Sequence, residues 1–209
     1  MLLVVGGHSR KIGKTAVACA IVRALPEAGW TAVKLSPHRH GGDDGGQAYV
    51  LREACGPEES DSGRMLAAGA KRALWLGYQP GRLGEAMPAL RALIGGAANT
   101  LIESNEVMDW LEPDLYLVVM DPAVRDWKSS ALRHLGRASA LVMTTAGGDA
   151  GEGREEERHV LPRLPRFHAA PPDYSSQALR DYLAARLQLP RGRETRNETP
   201  NCTPFSSQG

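Results

Sequence analysis

The stretch "VVGGHSRKIGKTAVACAIV", residues 4–22, decides how the rest of the chain is read. A short apolar run ends in two glycines, and Gly-Lys-Thr then opens a segment of helical pattern. Backbone N–H groups at a helix start lack intrahelical partners and the helix dipole favours negative charge there, so strand, glycine loop and helix in succession suit a phosphoryl group. Gly13 permits close backbone approach, Lys14 reaches the β and γ phosphates as a compact cation, and the Thr15 hydroxyl can ligate Mg²⁺. The spacing departs from G-x-x-x-x-G-K-[ST] by one residue: His8 stands six before Lys14, and the nearest upstream glycine is Gly7. The loop is therefore lengthened. Its binding segment runs from Gly7 through His8, Ser9, Arg10, Lys11, Ile12, Gly13, Lys14 and Thr15 to Ala16.

Working outward, apolar runs recur at 2–6, 31–36, 72–77, 100–104, 115–120 and 139–144, without strict alternation, as in strands covered on both faces. Helical patterns at 14–25, 62–69, 82–94 and 127–136 lie between most of them. This alternation predicts an α/β fold with a mainly parallel sheet flanked by helices. "RFHAAPP" adds an edge strand, and "SSQALRDYLAARL" (175–187) a helix capped by Ser175 or Ser176. Two segments break the rhythm. Residues 37–61 contain "PHRHGGDDGG" and read as a functional or mobile loop, and the glycine-rich, acidic 144–159 reads as a solvated one. One domain over 1–189 is expected, with 190–209, nearly free of apolar residues, as a disordered tail.

A chain that is 42% apolar in 209 residues can bury one sizeable core. Its formal charge of +1 gives no field that argues for nucleic acid or an anionic membrane, so the expected partners are small molecules or proteins. Three cysteines, at 19, 55 and 202, form no C-x-x-C pair, which fits a reducing compartment and hence the cytoplasm. "LLVV" is too short for a signal peptide core, and no run approaches a membrane span.

A Mg²⁺-dependent phosphoryl site needs a carboxylate at a strand end. Glu103 closes "NTLIE" and Asp121 closes "LYLVVMD"; Glu103 is preferred because it faces the crevice where open α/β sheets bind ligands, while Asp121, before Pro122, suits a turn. His38 and His40, near Asp43 and Asp44, have a spacing compatible with a metal, with phosphate contact or plain exposure as the alternatives.

Four blocks make the chain resemble the MobB family, the molybdopterin-guanine dinucleotide biosynthesis proteins B: the loop and first helix, "AGWTAVKLSPHRH" (28–40), "DSGRMLAAGAKRALWL" (61–76) and "TLIES", in which Ser104 stands where that family has glycine. The resemblance covers residues 2–120 and implies a P-loop NTPase fold, ATP or GTP with Mg²⁺, hydrolysis, and a role in cofactor assembly with a protein partner or a second copy. It implies further that Lys14 and Thr15 hold phosphate and Mg²⁺, that Glu103 supports the metal, and that Asp61 and Arg64 lie near the γ-phosphate, with Lys14, Arg64 and Asp61 as the catalytic set. A looser likeness to dethiobiotin synthetase suggests a small-molecule kinase or ligase, in which Lys128 or Arg125 would hold an acceptor; a nucleotide sensor with little turnover is the third class. The signature lysine of related dimeric ATPases is replaced by Ser9, and "TTAGGD" lacks the lysine of the guanine-reading element, with Asp149 displaced, so the base stays open. Trp75 and Tyr78 either face a partner or pack within the fold.

Overall fold

Every strand foreseen from the apolar runs forms, and their order along the sheet is what builds a crevice. The computed structural model describes residues 1–37, 47–56, 59–145 and 163–189. Strand β1 (Leu2–Gly7) leads into helix α1 (Lys14–Ala24), then β2 (Thr31–Pro37), β3 (Tyr49–Glu53), α2 (Asp61–Ala67) and β4 (Arg72–Tyr78). Helix α3 (Leu83–Gly95), β5 (Thr100–Glu103), β6 (Leu115–Met120), α4 (Ser129–His134), β7 (Ala140–Met143), β8 (Arg166–His168) and α5 (Gln177–Leu187) follow. The sheet order is β3-β4-β2-β5-β1-β6-β7-β8. All neighbours are parallel except β3, which runs antiparallel to β4. The order places β1 centrally, with β2 and β5 on one side and β6 to β8 on the other.

The inner strands of the sheet are buried on both faces, as their unalternating sequences require. One core packs Leu3, Val5, Ala32, Leu101 and Leu117 beneath Val17 and Ile21 of α1, Met65 of α2 and Leu179 and Leu183 of α5. The other packs Val4, Val33, Ile102 and Val118 beneath Leu83, Met87 and Leu90 of α3 and Val107 of a short 3-10 turn. Ser176 caps α5, its hydroxyl accepting from the Leu179 amide. Among the described residues no helix is long and apolar enough to cross a membrane.

One correction concerns 37–61, read from sequence as loop: residues 49–53 form β3. Its pairing with β4 runs from Tyr49 opposite Tyr78 to Glu53 opposite Leu74, and Arg72 clasps Glu53 with two bonds of 2.8 Å. As an edge strand it is only partly covered, so it has no apolar run to announce it. Tyr78 is buried and its hydroxyl donates to Glu106, while Trp75 is half-buried with its indole N–H on the Ser36 hydroxyl at 2.8 Å, so both pack within the fold. The loop histidines and acids at 38–44, most of the acidic loop including Asp149, and the tail lie outside the described residues.

Candidate functional site

Helix α1 starts at Lys14, and Gly13 before it has φ 90° and ψ 12°, in the left-handed region. A Cβ at Gly13 would be strained there and would lie 2.8 Å from Cε1 of Tyr174. Among the described residues no side chain caps α1, and its first turn carries no acid, which leaves the positive end of the helix to an anion. Gly13→Ala is expected to lower the thermal midpoint by about 2–8 °C, from a backbone cost of roughly 1–2 kcal/mol. An unchanged midpoint in calorimetry would show that the loop relaxes around the methyl group.

The loop ahead of Gly13 is folded onto the sheet. The Gly7 amide donates to Asn105 Oδ1 and its carbonyl accepts from Asn105 Nδ2, both at 2.8 Å. A Cβ on Gly7 would meet the Lys14 stem at 2.8 Å, so glycine makes room for that lysine. His8 is fully buried: its amide donates to the Val119 carbonyl at 3.1 Å, Nε2 lies 2.9 Å from the Val124 carbonyl, and its ring is 4.8 Å from that of Trp127. Ser9 is buried, and its carbonyl accepts from Lys14 Nζ at 2.6 Å. The extra loop residue is absorbed in this way: His8 is drawn down beside β6, and Lys11 turns the chain back at φ 56°.

Opposite the loop stands a charged cluster. Glu103 at the end of β5 is 1% exposed, and its two oxygens accept from Thr15 Oγ1 at 2.8 Å and from Lys34 Nζ. Lys34 lies beside Glu103 in the β2–β5 register, so both side chains rise on one face of the sheet. Its ammonium also pairs with Asp61 at 3.0 Å, and Arg64 stands 3.8 Å from the other Asp61 oxygen. Burial pulls the Lys34 pKa down, but Glu103 and then Asp61 outweigh burial and hold it above the ordinary lysine value. Among the described residues no carboxylate is paired with Lys14, and burial, reinforced by Lys128, lowers its pKa to about 8.

Loop and cluster are the two walls of a cleft of about 440 Å³, within the range of small-molecule sites. Of the residues singled out in the sequence, Lys11, Ile12, Gly13, Lys14, Thr15 and Ala16 line it on one side, with Asp61, Arg64 and Glu103 on the other. Gly7, His8, Ser9 and Arg10 do not line it; the first three support the loop from beneath, and Arg10 is exposed. Asp121 Oδ1 accepts from the Ala123 amide at 2.9 Å, a turn. The Lys128 amide donates to the His8 carbonyl at 2.8 Å. Three residues escaped the sequence reading: Lys34, Asn105 and Tyr174. Lys34 carried a signal, since a single charge inside the run "TAVKLS" must find a partner once the strand is buried. Among the described residues no group of three or more His, Cys, Asp or Glu is placed to hold a metal ion.

A mostly parallel sheet with a glycine-led loop entering the first helix, and a carboxylate at the end of a neighbouring strand, is the P-loop NTPase fold. The chain is similar in structure to HypB from Helicobacter pylori, solved in complex with nickel, with a TM-score of 0.53 and 12% identity over 89% of this chain and 86% of that one. It is similar also to the hydrogenase maturation factor HypB from Archaeoglobus fulgidus, with a TM-score of 0.53 and 12% identity over 90% of each chain. LpxK from Aquifex aeolicus, solved with ATP, has a TM-score of 0.48 and 16% identity over 80% of this chain and 53% of that one. No protein-family model matches the sequence, and no curated protein matches it.

Proposed function

We propose that this chain binds a nucleoside triphosphate with Mg²⁺ and hydrolyses it. The observation that carries the reading is the convergence of Lys14, Thr15, Glu103 and Lys34 on one cleft at the uncapped start of α1. The residues fit Mg²⁺: Glu103 and Asp61 already share one cation, the Lys34 ammonium, and Glu103 is bonded to the Thr15 hydroxyl. Hard oxygen donors of this number suit a metal that keeps its waters and takes other ligands from phosphate. Thr15 and Glu103 would hold the metal, and its charge would offset that of the phosphates.

The side chains then have separate tasks. Lys14 exchanges the Ser9 carbonyl for a phosphate oxygen, and Thr15 and Glu103 supply oxygen atoms beside it. Asp61 holds Lys34 in place and tethers the exposed Arg64, whose guanidinium is free to approach charge developing on a departing phosphoryl group. Adenine and guanine nucleotides both satisfy these contacts. A role in cofactor assembly with a protein partner follows from the resemblance to the MobB family. Transfer to a small acceptor is favoured by Lys34 and Arg64, two cations at the same end of the cleft, where a second anionic group can be held.

The test is a thermal-shift series with ATP, GTP and their diphosphates, with and without Mg²⁺. Nucleotide at a hundred times its dissociation constant adds about 2.7 kcal/mol, which raises the midpoint by about 5–10 °C. No shift with any nucleotide would remove the proposal. Arg64→Ala is expected to leave that shift intact and to slow phosphate release by on the order of tenfold or more; equal turnover would take Arg64 out of the mechanism. Consumption of triphosphate only when an acceptor is added would favour transfer over hydrolysis.

A further inference from the structure

We propose that the ring of Tyr174 is the platform on which the base of the bound nucleotide lies, a step that rests on the nucleotide reading above. The cleft has two unlike ends. Lys34 and Glu103 come from β2 and β5, on one side of β1, and Asp61 and Arg64 from α2 above them. Tyr174 follows β8, on the other side of β1, and among the described residues it is the one aromatic in the lining. The start of α1 lies between.

A triphosphate spanning this cleft has one favourable direction. Its terminal, most charged phosphate belongs with Lys34, Arg64 and the Thr15–Glu103 pair, and its inner phosphates pass over Gly13 and Lys14. The nucleoside then points toward Tyr174, away from the Lys34, Asp61, Arg64 and Glu103 cluster of the opposite wall. The ring is held ready for this. Its Cε1 and Cζ lie 2.8 and 3.4 Å from where a Gly13 Cβ would stand, beside the Thr144 methyl at 3.4 Å from the same point. The Tyr174 amide donates to the Ala170 carbonyl at 3.0 Å, with the backbone at φ 55°. Asp173 stiffens the same turn, its oxygens accepting from the Ser175 amide at 3.1 Å and the Ser175 hydroxyl at 2.8 Å. The ring is half-buried, anchored against the core by part of its surface, with the rest on the cleft.

Stacking on an aromatic face tolerates every base, so loss of the ring should weaken adenine and guanine nucleotides alike. The measurement is calorimetric titration of MgATP, MgGTP and magnesium tripolyphosphate into the parent, Tyr174→Leu, Tyr174→Ala and Tyr174→Phe. Leucine keeps apolar bulk against the core if alanine does not fold. The expected result is a loss of about 10- to 100-fold for both nucleotides in the leucine and alanine variants, with tripolyphosphate held within about threefold and Tyr174→Phe like the parent. Parental nucleotide affinity in Tyr174→Leu would overturn the assignment and leave the phosphate site standing. A parallel loss of tripolyphosphate would overturn it too, making the ring a support for Gly13. A parent that binds none of the three would overturn the nucleotide reading itself, and this assignment with it.

Discussion

Lys14→Met is expected to raise the thermal stability of the ligand-free protein while abolishing its stabilisation by nucleotide. Lys14 is half-buried, and the fall of its pKa from 10.5 to about 8 means that the fold disfavours its charge. That fall corresponds to roughly 3 kcal/mol of destabilisation at pH 7. Solvent screening and the lost bond to the Ser9 carbonyl, worth about 1 kcal/mol, reduce the net gain to about 1–2 kcal/mol, or about 2–8 °C. Methionine retains the stem that packs over Gly7. The pH dependence has a definite sign. Because the folded pKa lies below the unfolded one, the parent's stability rises as pH climbs from about 8 toward 10.5, and its deficit against the variant shrinks over that window. With saturating MgATP the order should reverse, since only the parent gains from ligand. A variant less stable than the parent at pH 7 would show that the lysine is not held at a cost in readiness for phosphate.

The sheet was legible because its strands are covered on both faces and so appear as unbroken apolar runs. "LYLVVM" and "ALVM" are buried at every position in β6 and β7. Edge strand β3 was hidden for the opposite reason: "YVLRE" has three exposed residues of five and follows a glycine-rich segment. The phosphate loop was legible as far as its helix, since left-handed backbone at Gly13 and a cation at Lys14 are requirements of residue type. Which side His8 would take was not legible. Its burial depends on the Val119 and Val124 carbonyls and on Trp127, all more than a hundred residues away in sequence. Tyr174 was hidden likewise, because only the return of the chain through β8 carries it to Gly13. Local chemistry therefore announced the residues that α1 and β5 place directly, and long-range closure supplied the rest.

Glu103→Gln is expected to destabilise the fold strongly, and its coupling to Lys34 separates a structural ion pair from a metal site. Glu103 is buried and bonded to both Thr15 and Lys34. Neutralising it leaves the Lys34 ammonium with only the partly exposed Asp61, at a cost of about 2–4 kcal/mol, or a midpoint lower by about 5–15 °C. Lys34→Met alone strands the carboxylate and should cost a similar amount. The double variant removes both charges together and should recover much of the loss, with a coupling of roughly 1.5 kcal/mol or more. Because Lys34 is held above its ordinary pKa, its charge persists through neutral pH, and on the alkaline side the coupling is lost only as pH rises past that raised value. Additive losses would mean that the two groups do not depend on each other. The Mg²⁺ increment in nucleotide affinity provides the second axis: Glu103→Gln should lose it while retaining metal-free binding through Lys14, whereas Lys34→Met should keep it, since the ammonium and the metal compete for the same carboxylate.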